Sequence, residues 1–336
     1  MSRFLAASTN ADLSKDGKQH DTISINYSSN RSAYGRIGVP FTVIRNGTGP
    51  TLLLLAGTHG DEYQGQIALR RLAKDIRPEA ISGRLLILPS LNAPASYSDT
   101  RISPIDSANL FRSYAEPPTA SPTPSIANFI KTELVGISDA IVDLHSGGTS
   151  LEFTACVMAF LSADESYNRR VLELGAAFGA PTLVLNHRPQ PNPSSLVGIA
   201  HAAKIPMIAT ELGGGSLSRA SDVTIGCEGV LRTMNHLGMA SLEVEPAGRQ
   251  RVLEAKSTNC FIYSETDGIF EPSVDIGQSV LAGQLVGYVH PLSSVVQDPV
   301  PLSFATSGTI ICRRALARTL PGDCLFQVGA PEQAGA

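Results

Sequence analysis

The sequence has no pair of cysteines at C-x-x-C spacing. Its five cysteines, Cys156, Cys227, Cys260, Cys312 and Cys324, are odd in number and widely scattered. That pattern excludes a zinc ribbon and argues against a disulfide framework. Free thiols suit a reducing compartment, so a cytoplasmic location is the expectation. A long apolar run is also missing: nothing approaches the roughly 20 residues of a membrane helix. The start, Met1-Ser2-Arg3-Phe4-Leu5-Ala6-Ala7-Ser8, has too short an apolar run for a secretory leader. Positive charge is not in excess. A formal net charge of −4 disfavours nucleic acid and anionic membranes as partners. The densest basic stretch, Arg70-Arg71-Leu72-Ala73-Lys74, has helical spacing broken by apolar residues and reads as the solvated side of a helix. A G-x-S-x-G nucleophile elbow is absent. So is the lysine that would make Gly213-Gly214-Gly215 a phosphate loop. Nothing in the sequence therefore argues for a serine hydrolase or a nucleotide site.

What is present is an alternation of short apolar runs with helical patterns. Residues 51–57 form a continuous apolar run, as expected of a strand buried on both faces. Further runs at 84–88, 140–144, 153–160, 181–185 and 206–210 read as strands, and 66–76, 125–134, 165–178 and 196–204 as helices. Strands alternating with helices imply an α/β fold with a mostly parallel sheet covered on both faces. Residues 115–124, rich in proline, threonine and serine, read as a surface loop. Beyond about residue 242 the helical patterns thin out and tight-turn residues multiply, which predicts a catalytic domain over 1–241 and a small β domain over 242–336. The turns at Gly268-Ile269-Phe270-Glu271-Pro272, Gly277-Gln278-Ser279-Val280 and Gly283-Gln284-Leu285-Val286-Gly287 resemble those of a biotinyl/lipoyl-type barrel, without an evident lysine for cofactor attachment.

Chemistry-bearing residues sit directly after three of the predicted strands. They are His59 and Glu62 in Gly57-Thr58-His59-Gly60-Asp61-Glu62, His145 in Asp143-Leu144-His145-Ser146-Gly147-Gly148, and Glu211 in Thr210-Glu211-Leu212-Gly213-Gly214-Gly215. A ligand crevice in an open parallel sheet forms at the carboxyl ends of its strands. Each residue taken singly is ordinary; H-x-x-E recurs by chance, and a histidine after a strand is more often a core residue than a ligand. Together they supply two imidazoles and a carboxylate, a recognised donor set for one catalytic zinc. Zinc brings the pKa of its water to about 7. Glu211 is the remaining carboxylate that can take the proton and pass it to a leaving nitrogen.

These three motifs, in this order, resemble the signatures of the succinylglutamate desuccinylase/aspartoacylase family, within the zinc carboxypeptidase-like superfamily. The resemblance implies one Zn2+ per chain on His59, Glu62 and His145, with Glu211 as general base and acid. It further implies Arg101 as the oxyanion partner and Arg112 as the carboxylate anchor, roles that a guanidinium fork suits. The family usually reads Asn-Arg where this chain has Phe111-Arg112, and Asn109 is the nearby amide assigned to substrate binding. Within the family, Asp16-Gly17-Lys18-Gln19-His20, Ser32-Ala33-Tyr34-Gly35 and Gly47-Thr48-Gly49-Pro50-Thr51 are similar to the N-acetyl-2,4-diaminobutyrate deacetylases of ectoine breakdown. The implied activity is hydrolysis of the amide of a small N-acyl amino acid, with a homo-oligomer left open. The rival readings are a zinc carboxypeptidase acting on peptides and a metal-binding module without catalysis.

Overall fold

The computed structural model describes residues 7–116, 121–187, 189–255, 258–293 and 295–331. Two long strands come first, β1 (Gly17–Asn26) and β2 (Arg36–Asn46), paired antiparallel over their whole length. In β1 the buried residues alternate, Ile23 with Ile25, so one face of that strand is buried, whereas Phe41 to Ile44 of β2 are buried in succession, on both faces. There follow β3 (Thr51–Ala56), α1 (Tyr63–Asp75), β4 (Gly83–Leu88), α2 (Ala93–Ser98), α3 (Pro122–Phe129) and β5 (Ala140–His145). Next come β6 (Leu151–Phe153), β7 (Cys156–Leu161), α4 (Glu165–Phe178), β8 (Thr182–His187), α5 (Leu196–Ala202), β9 (Met207–Glu211), α6 (Ala220–His236) and β10 (Arg251–Glu254). The main sheet runs β1-β2-β4-β3-β5-β9-β7-β8-β10 and continues into C-terminal strands. Strands β4, β3, β5 and β9 are mutually parallel, whereas β7 is antiparallel to β9.

Strand β3 shows why the middle of the sheet is apolar throughout. Leu52 and Leu54 face a core built with α1, α4 and α6, while Leu53 and Leu55 face a second core built with α3 and α5. All four leucines are fully buried. Truncation of such a residue to alanine typically costs about 2–5 kcal/mol, so the strands that carry the site are held from both sides.

The C-terminal part contains β11 (Phe261–Tyr263), β12 (Gly268–Pro272), β13 (Ser279–Val280), β14 (Leu285–Pro291), β15 (Val300–Ser303), β16 (Gly308–Arg314), β17 (Arg318–Thr319) and β18 (Cys324–Pro331). A four-stranded antiparallel sheet, β15-β14-β12-β17, packs with β11, β13, β16 and β18 around Phe270, Val286, Phe304 and Phe326. This part is tied to the main sheet at two places. Strand β10 pairs in parallel with β8 and antiparallel with β18, and β6 pairs with β16.

Two readings of the sequence change. The run 153–160 is not one strand: the chain breaks between β6 and β7, and Thr154 donates its backbone N–H to Ile311 instead. The loop expected over 115–124 ends earlier, because Pro122 to Pro124 form the buried first turn of α3. Proline is well tolerated there, since the first-turn N–H groups have no partner within the helix. Asp106 supplies the cap from a distance, accepting from the Thr123 backbone N–H at 2.8 Å and from its hydroxyl at 2.8 Å. Residues 117–120 of that expected loop lie outside the described residues.

Candidate active site

The ends of three adjacent parallel strands, β3, β5 and β9, carry the motifs. His145 and Glu211 are the last residues of β5 and β9 and lie opposite one another in the ladder. After β3 the chain turns through Gly57 and Gly60, and Glu62 becomes the N-cap of α1. Gly60 is required by close approach: a Cβ there would lie 2.1 Å from the Ala95 carbonyl carbon. Gly214, at φ +143°, is constrained in the same way, since a Cβ would stand 2.1 Å from the Leu151 carbonyl oxygen. Glu62 makes no capping hydrogen bond with its side chain, and its carboxylate is turned toward the two histidines.

His59, Glu62 and His145 are all buried, and one donor atom from each lies within 4.8 Å of the others. His59 Nδ1 is 2.7 Å from Glu62 Oε1, and His145 Nδ1 is 2.8 Å from Glu62 Oε2. The second nitrogen of each ring has its own partner. His145 Nε2 lies 2.9 Å from Asp143 Oδ2, and His59 Nε2 lies 3.2 Å from Asn109 Oδ1. An imidazole whose outer nitrogen is held by an oxygen has its tautomer and plane set, which is how metal-binding histidines are usually oriented. Asp143 is itself held by the Thr58 hydroxyl at 3.2 Å. The donor set of two inward nitrogens and one carboxylate therefore fits a zinc ion.

The electrostatics follow from this crowding. Burial pushes the Glu62 carboxyl up, but His59 and His145 beside it outweigh that and hold it well below the usual carboxylate range. Burial pushes the His145 imidazole down, yet Asp143 and Glu62 overcome it and raise the ring well above its ordinary value. The Glu211 carboxyl is pushed up to about 8, first by burial and next by the negative charge of Glu62, with His145 and Arg101 opposing. Its Oε2 is buried with no hydrogen-bond partner.

All seven residues singled out in the sequence line one cavity of about 260 Å3: His59, Glu62, Arg101, Asn109, Arg112, His145 and Glu211. Arg101, half-exposed, donates to Glu62 Oε1 at 3.2 Å. Leu151, Phe153, Met158, Phe160 and Ala209 supply apolar lining. Phe111 sets its ring edge-on to His145, with centroids 5.7 Å apart. Asn109 lines the cavity and also touches its neighbours. Its side-chain oxygen accepts from the Phe111 backbone N–H at 3.1 Å and faces the back of His59.

Residues 48–237 match the sequence profile of the succinylglutamate desuccinylase/aspartoacylase catalytic domain. The chain belongs to that family. It is 34% identical over 319 residues to the N-alpha-acetyl-L-2,4-diaminobutyric acid deacetylase of Halomonas elongata, covering 95% of this chain and 93% of the relative. Among solved structures, the ectoine utilization protein EutE (DoeB) of Ruegeria pomeroyi superposes with a TM-score of 0.92 at 34% identity, over 96% of this chain and 98% of that one. A succinylglutamate desuccinylase from Silicibacter sp. TM1040 does so with a TM-score of 0.92 at 33% identity, over 97% and 98%. Sequence reasoning gave no role to Asp143. The signal for it was its position two residues before His145 on a strand, which puts both side chains on one face.

That placement carries a prediction. Asp143→Asn keeps the shape but loses the charge that orients and polarises His145, so metal affinity should fall about 10- to 100-fold. Competition titration against a chelator of known affinity measures it. Unchanged affinity would reduce Asp143 to a packing residue.

Proposed function

We propose that this chain is a zinc-dependent deacylase that removes the acyl group from a small N-acyl amino acid, with N-acetyl-2,4-diaminobutyrate as the substrate. The observation that carries the reading is the buried His59–Glu62–His145 cluster lining the same cavity as Glu211, whose Oε2 is buried without a partner. His59, Glu62 and His145 would hold the ion, which when bound supplies Lewis acidity toward water and the acyl oxygen. Glu211 takes the proton released by the attacking water and returns it to the leaving nitrogen. Arg101 faces the charge that develops on the acyl oxygen, and Arg112 grips the substrate carboxylate as a planar fork. The cavity of about 260 Å3 suits a small acylated amino acid rather than a peptide C-terminus. The division into a catalytic part over 1–241 and a barrel-like C-terminal part over 242–336 belongs to the same proposal. So does a cytoplasmic location, which the five unpaired cysteines favour.

The arginine roles are separable in kinetics. Arg101→Ala should mainly lower kcat, because oxyanion contacts strengthen in the transition state. Arg112→Ala should mainly raise KM for carboxylate-bearing substrates. Equal discrimination by wild type and Arg112→Ala against an acylated amine without a carboxylate would remove Arg112 from the site.

The substrate follows from the cations present. Arg101 and Arg112 are the only basic side chains, apart from the two histidines, among the described residues lining the cavity. A second substrate carboxylate would meet Phe111, which has no donor to offer. The deciding measurement is the ratio of kcat/KM for N-acetyl-2,4-diaminobutyrate and N-acetylaspartate on one zinc-loaded preparation. The diamino substrate should be clearly preferred. The opposite order would overturn the substrate while leaving the mechanism intact.

A further inference from the structure

A second cavity of about 340 Å3 adjoins the first, and the two share Phe111, Arg112 and Phe160 as a common wall. Beyond that wall it is lined by the uncharged Gln190, Asn192 and Val197, among others, and Arg112 is the one charged side chain among its described lining residues. The stereochemistry of an N-acyl amino acid makes this arrangement informative. Its α-carbon bears an acylamino group, a carboxylate and a side chain. The acyl carbon has to lie beside His59, Glu62, His145 and Glu211, and the carboxylate on Arg112 at the junction of the two cavities. The first cavity then closes on the acyl methyl with Leu151, Phe153, Met158 and Ala209. The side chain is left to pass Phe111 and Phe160 into the second cavity.

We propose that this second cavity is the side-chain subsite and that it recognises an ammonium group through the faces of Phe111 and Phe160 and the amide oxygen of Gln190, the Asn192 oxygen already accepting from the Ser194 backbone N–H at 2.9 Å. Aromatic faces attract a cation through the ring quadrupole, and neutral amide oxygens accept from the ammonium protons without a formal charge. Among the described lining residues a carboxylate side chain would find no second cation, and its oxygens would face the negative faces of the rings. The assignment rests on the deacylase reading above.

The test compares N-acetyl-2,4-diaminobutyrate with N-acetylnorvaline, which carries a methyl group where the first has its ammonium. The ratio of their kcat/KM values is measured for zinc-loaded wild type, Phe160→Leu and Gln190→Leu. Gln190 is exposed, so its variant should fold even if Phe160→Leu does not. Loss of one aromatic face or one amide acceptor should lower the ratio about fivefold in each variant. A ratio within twofold of wild type in Gln190→Leu and in any folded Phe160→Leu overturns the subsite while leaving the deacylase standing. Failure of the wild type to release amine from either compound overturns the deacylase reading, and the subsite with it.

Discussion

Glu211→Gln should keep its metal and lose about 10²- to 10⁴-fold in kcat, the usual contribution of a general acid–base group. Glu211 ends β9 beside His145, and its Oε2 is buried without a partner. Burial and the nearby Glu62 push its carboxyl up to about 8, against the pull of His145 and Arg101. A carboxylate in that environment holds a proton readily, and an amide of the same size cannot. The substitution therefore removes the proton relay while leaving volume and fold nearly unchanged. Turnover and bound metal should be measured on the same preparation. A loss below tenfold would point to another base, and loss of the metal would make Glu211 a ligand.

Removal of the metal should abolish amide hydrolysis, and one equivalent of zinc per chain should restore it. Stability gives an independent readout. A ligand present at about 1,000 times its Kd stabilises the folded state by about 4 kcal/mol, which for a chain of this size raises Tm by several degrees. The ion-free protein should still fold, because each Nδ1 of His59 and His145 already pairs with a Glu62 oxygen. His59→Gln should lose both the zinc-dependent rise in Tm and the activity. Undiminished hydrolysis in chelator by protein that contains no metal would remove the central claim.

Much of the site is legible in the sequence because its residues are spelled beside their strands. The apolar runs at 51–57, 140–144 and 206–210 predict β3, β5 and β9, and His59, Glu62, His145 and Glu211 follow them or end them. Period and burial agree there, since a strand covered on both faces must be apolar throughout. Local chemistry is less informative where partners come from elsewhere in the chain. Pro122 to Pro124 look like loop composition, yet Asp106 caps them into a helix by reaching Thr123, 17 residues further along the chain. Asn109 stands near Arg112 in the sequence, but nothing local foretells that its side-chain oxygen accepts from the Phe111 backbone and faces the back of His59.

By itself the sequence determined the α/β class, the placing of two histidines and two glutamates at or just after strand ends, and the absence of a surplus of cations. These depend on residue type and on periodicity within a few positions, which the chain writes directly. The tertiary structure alone decided three things. Strands β3, β5 and β9 became neighbours, Asp143 and Asn109 came to stand behind the histidine rings, and Phe111, Arg112 and Phe160 became a wall shared by two cavities. Each of these joins residues far apart in the chain. Such pairings are selected by sheet hydrogen bonding and by packing of whole faces against one another, not by the propensity of any one segment.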